Sequence, residues 1–144
     1  MILDLIGKIL KALFDLFVML FKLLFGIKQT KTISLETRNL IEGEWVTINS
    51  ELKNHSPAVL KHALIKADKS LDNLLKEFVN GNTMGERMIA AKEKFTPATY
   101  SAIWSGHKVR NSMVHDSGFE PSYVVLTKAI EDLRRGVREL GIRA

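Results

Sequence analysis

The chain of 144 residues contains no cysteine. That excludes disulfides and thiolate metal sites and leaves the redox compartment unmarked. Prolines number three and glycines nine, and period-two alternation of apolar and polar residues is scarce. Strands are therefore disfavoured, and an all-α fold is expected. The sequence has no glycine-rich phosphate loop, no nucleophile elbow and no paired-carboxylate pattern, so nothing points to a nicotinamide, flavin or ATP site, and no cofactor is expected. Internal repeats and low-complexity tracts are also missing. Charge of one sign is not strongly dominant: 21 Lys and Arg against 16 Asp and Glu give +5. This mild basic excess is compatible with a phosphate-bearing partner or an anionic membrane and proves neither. The length suits one domain with at most an appendage, large enough to bury a core of its own.

Hydrophobicity is unevenly spread. Residues 1–27, MILDLIGKILKALFDLFVMLFKLLFGI, are mostly Leu, Ile and Phe, whereas residues 35–144 have ordinary domain composition. A polar linker over 28–34 separates the two. The charges of the first segment are Asp4, Lys8, Lys11, Asp15 and Lys22. At 100° per residue they fall in a stripe about 60° wide, with apolar residues around the rest of the cylinder. The i,i+4 pairs Asp4–Lys8 and Lys11–Asp15 can partly neutralise each other. A secretory signal does not fit, for want of a basic start and a small-residue cleavage site. A lone spanning helix is awkward, because the longest uncharged run, Leu16–Phe21, has six residues against the ~20 needed. The segment therefore reads as an amphipathic helix that lies in a membrane interface or joins copies of itself. If it spans, Lys28 and Lys31 beyond its C-terminal end leave the main domain in the cytoplasm. The expected location is the inner face of a membrane.

The remainder reads as five helices with short links, an antiparallel bundle by default. Residues 35–53 follow Ser34 as N-cap and carry Leu40, Ile41, Trp45, Ile48 and Leu52 on one side. Ser56 and Pro57 open the next helix, to about Val79, with the stripe Leu60, Leu64, Ala67, Leu71, Leu74 and Phe78. Thr83 and Glu86 have capping-box spacing and start a short helix ending near Lys94. Thr96 and Pro97 start another, to His115. The last begins at Glu120 and Pro121 and runs to Leu140.

The stretch HKVRNSMVHD, residues 107–116, stands out because polar groups occupy a helix that otherwise supplies core. His107, Asn111 and His115 recur every four residues and share an edge. Arg110 lies five residues before His115, about 140° round the helix. Imidazole is the side chain that titrates near neutral pH, and a guanidinium can grip a phosphate through two bonds. Together they suit phosphodiester cleavage, the histidine moving a proton and the arginine stabilising charge on phosphorus. With the neighbouring ribose 2′-OH as nucleophile, no metal is needed.

RNSMVH, residues 110–115, resembles the Arg-Asn-x-x-x-His form of the signature of HEPN domains (higher eukaryotes and prokaryotes nucleotide-binding). The resemblance covers roughly residues 35–141 and excludes the N-terminal segment. It implies a small helical bundle that forms homodimers or larger assemblies. It also implies, in active members, a metal-independent endoribonuclease cleft shared by two motif helices, of the kind found in toxin and defence systems. On this resemblance Arg110 binds and polarises the scissile phosphate, His115 is the general acid or base, and Asn111 orients one of them. Some members bind nucleotides or only dimerise.

Secondary candidates for RNA contact are His107, Lys108, Arg134, Arg135 and Arg138. The arginines are interleaved with Glu131, Asp132 and Glu139 and read equally as a solvated face. His107 and His115 are too far apart along one helix to share a metal, and none is expected. His55 and His62 read as surface residues, Trp45 and Trp104 as core. The expected partners are further copies of the chain, RNA, and a membrane through residues 1–27. The competing expectation is a non-catalytic scaffold in which Arg110, Asn111 and His115 form a buried network that fixes packing, and Asp116 pairs with Arg110 or Lys108.

Overall fold

The computed structural model describes the backbone of residues 2–25 and 32–144 and the side chains of 6–21 and 32–144. Among these residues the fold is all-α, without a strand. Two compact units separate, Met1–Thr30 and Lys31–Ala144.

The first unit is one helix, α1 (Ile2–Phe25). The described charges Lys8, Lys11 and Asp15 are exposed, and so are Ile9, Leu10, Leu13, Phe14 and Phe17. The side chains of Asp4 and Lys22 lie outside the described residues, as do linker residues 28–31, with the two lysines on which the cytoplasmic orientation rests. Among the described residues no helix is long and apolar enough to cross a membrane.

The second unit holds α2 (Leu35–Glu51), α3 (Pro57–Lys76), α4 (Met84–Ala90), a single 3-10 turn (Lys92–Lys94), α5 (Pro97–His115) and α6 (Tyr123–Glu139). The starts follow local chemistry. The hydroxyls of Ser34, Thr83, Thr96 and Ser122 accept from backbone N–H groups three residues on, which satisfies donors that a helix leaves unpaired. Glu86 completes the α4 start by accepting from Asn82 N at 2.7 Å. Ser56 stands at the N-cap of α3, but its hydroxyl makes no capping bond; Asn54 Oδ1 instead accepts from Ser56 N at 2.9 Å. The last helix starts at Tyr123, later than Glu120 and Pro121 indicate, because Ser122 provides the cap. Gly141, at φ +89°, closes α6. This left-handed turn lets Ile142 N bond Val137 O and tucks the Ile142 side chain into the core.

Helix α3 is the hub, packing on α2, α4, α5 and α6. Leu60, Leu64, Leu71, Leu74 and Leu75 from α3 meet Ile41, Trp45 and Ile48 from α2, Ile103 from α5, and Leu126, Ile130, Leu133 and Val137 from α6. Leu40, placed in the α2 stripe by its spacing, is 54% exposed. The buried side of α2 is the narrower Ile41–Trp45–Ile48 row. The tightest crossing joins α5 and α6. A Cβ on Gly106 would lie 2.7 Å from the Ala129 carbonyl oxygen, and one on Gly136 would lie 2.6 Å from Ile103 Cγ2. Glycine at these two positions brings the helix axes close and sets the position of the residue after Gly106, His107.

Candidate functional site

The polar residues of α5 form a row that begins on another helix. Asp68, in α3, occupies a core-facing position between Leu64 and Leu71 and is 4% exposed. Its Oδ1 lies 2.7 Å from His107 Nδ1. A carboxylate only accepts, so Nδ1 carries a proton. His107 Nε2 is 3.0 Å from Asn111 Nδ2; that amide nitrogen only donates, so Nε2 accepts. Asn111 Oδ1 then accepts from Arg110 Nη1 at 3.0 Å. Arg110 Nε stands 3.4 Å from Asp68 Oδ2, within ion-pair reach but not aligned as a hydrogen bond. Asp68 thus anchors both ends of a closed four-residue ring.

The ring forms part of the wall of a groove of about 590 Å³ between α3, α4 and α5. The Arg110 side chain keeps 29% of its surface exposed. Its Nη2 and the second amide proton of Asn111 have no protein partner among the described residues. Lys69 and Lys108 line the same groove, both are exposed, and neither is matched by a carboxylate among the described residues. Two carboxylates, Asp68 and Asp72, also line the groove, but Asp68 is committed to His107 and Arg110 and Asp72 to Arg87 and Lys76, so the groove offers an anion one fixed cation, two free cations and an amide donor.

The structure brings together only part of the set expected from sequence. Arg110 and Asn111 meet. His107 joins them, but buried and with both nitrogens committed, which leaves it no atom for direct contact with RNA. His115 does not join. It is the exposed last residue of α5, with no hydrogen bond or ion pair to a described residue. Asp116, proposed as a partner for Arg110 or Lys108, accepts instead from Gly118 N at 3.1 Å. Arg134 bonds Glu131 and Asn49 and stacks over the Trp45 ring at 5.2 Å. Burial pushes its pKa down, with Arg138 adding to the effect and Glu131 opposing it. Arg138 donates to the Ala144 carbonyl, and Arg135 is exposed. None of these three arginines lines the groove. His55 is exposed and packs against the Tyr123 ring at 5.3 Å; His62 is exposed beside Glu51. Among the described residues no three His, Asp or Glu side chains converge as metal ligands.

Two residues of the groove escaped the sequence reading. Asp68 was visible as an acid at a core-facing position of an apolar stripe, where an unpaired carboxylate is too costly to keep. Trp104 divides from Trp45: Trp45 is 1% exposed, as expected of core, whereas Trp104 is half-buried and lines the groove. No protein-family model, curated protein or solved structure matches this chain.

Proposed function

We propose that the chain is a HEPN-like, metal-independent endoribonuclease that acts as a dimer or higher oligomer. One observation carries this reading: Arg110, held by Asn111 and Asp68, presents its remaining guanidinium protons to an open, cationic groove. A buried packing network has no need to leave its strongest donor facing solvent. In the proposed reaction the ribose 2′-OH attacks phosphorus, the P–O5′ bond breaks, and a 2′,3′-cyclic phosphate and a 5′-OH result. Arg110 stabilises the charge on the equatorial oxygens, and His115 takes the 2′ proton or returns one to the O5′ leaving group. Within one helix Arg110 and His115 are separated by about 140° and ~7.5 Å of rise. A second copy is therefore required to bring His115 of one chain towards Arg110 of the other. Helix α1, with its apolar surface exposed, is assigned not to forming this dimer but to holding it at the inner face of a membrane.

The test is incubation of purified protein with RNA in EDTA. Cleavage is expected, with cyclic-phosphate ends, and a fall of at least about 100-fold in Arg110→Ala and in His115→Ala. Cleavage that survives either substitution removes that residue from the mechanism. A second reading, a non-catalytic scaffold, is favoured by one feature, the ring Asp68–His107–Asn111–Arg110 closing within a single chain. It predicts no cleavage by the parent protein and loss of assembly when residues 1–27 are deleted. The ribonuclease reading predicts that the truncated protein still cuts.

A further inference from the structure

The groove has a second chemistry beside its cations. Ile65 and Trp104 give it an apolar wall, and Ile65 is 38% exposed although it belongs to the central helix. Trp104 is held edge-on by Tyr100 and His107, at centroid distances of 6.3 and 6.1 Å and interplanar angles of 83° and 73°. Gly85 borders the indole, where an added Cβ would lie 3.6 Å from Trp104 Cη2. A larger side chain there would cover that edge of the ring. The result is an indole fixed in orientation, partly open, beside Arg110, Lys69 and Lys108.

An apolar plate beside cations and an amide donor matches a nucleotide, which is itself a flat ring joined to an anion. The volume is of the scale of small-molecule sites, ~300–1,000 Å³. A single nucleotide fits it and a double helix does not. We infer that this groove is a nucleobase subsite, in which one unstacked base packs on Trp104 and Ile65 while Arg110, Lys69 and Lys108 hold the adjoining phosphate. The inference rests on the ribonuclease reading in one respect: Arg110 is shared between the scissile phosphate and this subsite. It sets the substrate class as single-stranded RNA, because bases inside an A-form duplex cannot reach a wall without leaving their stack.

The experiment uses the full chain and a fluorescein-labelled RNA decamer with 2′-O-methyl sugars, which blocks attack by the 2′-OH. Binding is read by anisotropy, and tryptophan emission is followed in parallel. Trp45 is sealed in the core, so contact quenching by an unlabelled copy of the strand reports on Trp104. Quenching of the parent is expected, with weakening of about tenfold in Trp104→Leu, partial recovery in Trp104→Phe, and markedly weaker binding of the same decamer annealed to its complement. Lys69→Glu alters an exposed residue outside the core and is expected to weaken binding at unchanged helical content, which guards against misfolding of the tryptophan variants. Binding by Trp104→Leu as tight as the parent's, or equal binding of duplex, overturns the subsite and leaves the cleavage assay to stand by itself. Failure of the parent to bind the decamer at all also overturns the subsite, while the cleavage assay in EDTA decides the ribonuclease reading separately.

Discussion

Gly106→Ala tests the packing that positions the site. A methyl group at this position meets the Ala129 carbonyl oxygen at 2.7 Å and Leu133 Cγ at 2.8 Å. One neighbour is backbone and the other a branch point, so neither can swing aside. Ordinary contact begins near 3.4 Å, so α5 and α6 must part by about 0.7 Å. Overpacking of a close-packed core typically costs ~1–3 kcal/mol, and alanine returns up to ~1 kcal/mol through its helix propensity. With both neighbours fixed the cost falls in the upper part of that range, ~2–3 kcal/mol, so a net loss of about 1–2 kcal/mol follows, or roughly 5 °C in Tm for a unit of this size. Gly43, mid-helix in α2, has nothing within 4 Å of its added Cβ. There the same substitution meets only the propensity term, and Tm should rise. Thermal unfolding of both variants by far-UV circular dichroism gives two shifts of opposite sign. An unchanged or raised Tm in Gly106→Ala would refute the tight crossing, and a lowered Tm in Gly43→Ala would refute the propensity term.

Asp68→Asn keeps the shape but turns one of the two groups facing His107 and Arg110 into a donor. Leaving donor against donor in a buried site costs ~1–3 kcal/mol, so the urea midpoint should fall with unchanged slope; an unmoved midpoint would show that the carboxylate contributes little. Arg87 is 7% exposed and grips Asp72 through Nε and Nη2 at 2.7 and 2.9 Å while also bonding the Gly81 carbonyl. Arg87→Lys cannot reproduce this fork and should cost ~1–3 kcal/mol, a figure that denaturant unfolding checks. For Glu139, burial raises the pKa, but hydrogen bonds from Thr99 and from the backbone and hydroxyl of Thr96 outweigh it and hold the carboxyl below its ordinary 4.5. A depressed folded pKa gives stability that is complete above 4.5 and lost as the pH falls through the lower folded value. Glu139→Gln should therefore be less stable at neutral pH, with the gap closing in acid; a gap constant across that range would exclude the linkage.

Much of the fold could be read from the chain because helix starts are written in short-range chemistry. Ser34, Thr83 and Thr96 cap where their spacing says, and the α3 stripe from Leu60 to Leu74 is the one that packs. Boundaries drifted where the deciding bond was less obvious, as with Ser122 for α6. Tertiary context decided the rest. Leu40 lies on an edge of α2 that α3 does not cover, and nothing local to residue 40 reports this. The site was half legible for the same reason. Arg110, Asn111 and His107 stand out as polar residues in one helix. Their anchor, Asp68, is 39 residues before His107, and only the α3–α5 packing brings the two together. His115 shares the sequence edge of His107 and Asn111, yet as the last residue of α5 it lies ~12 Å of rise beyond His107, past Asn111, where the groove ends.

The ring of four side chains has a direction, and one consequence concerns residue 111. Each proton points the same way round: guanidinium to amide oxygen, amide nitrogen to imidazole, imidazole to carboxylate. An Asn111→Asp substitution would exchange a single donor for an acceptor at the midpoint of that circuit. His107 would then face carboxylates on both sides, at Asp68 and at residue 111. A change of one atom at residue 111 would thus set two acceptors against one imidazole and alter the field felt by any anion at Arg110.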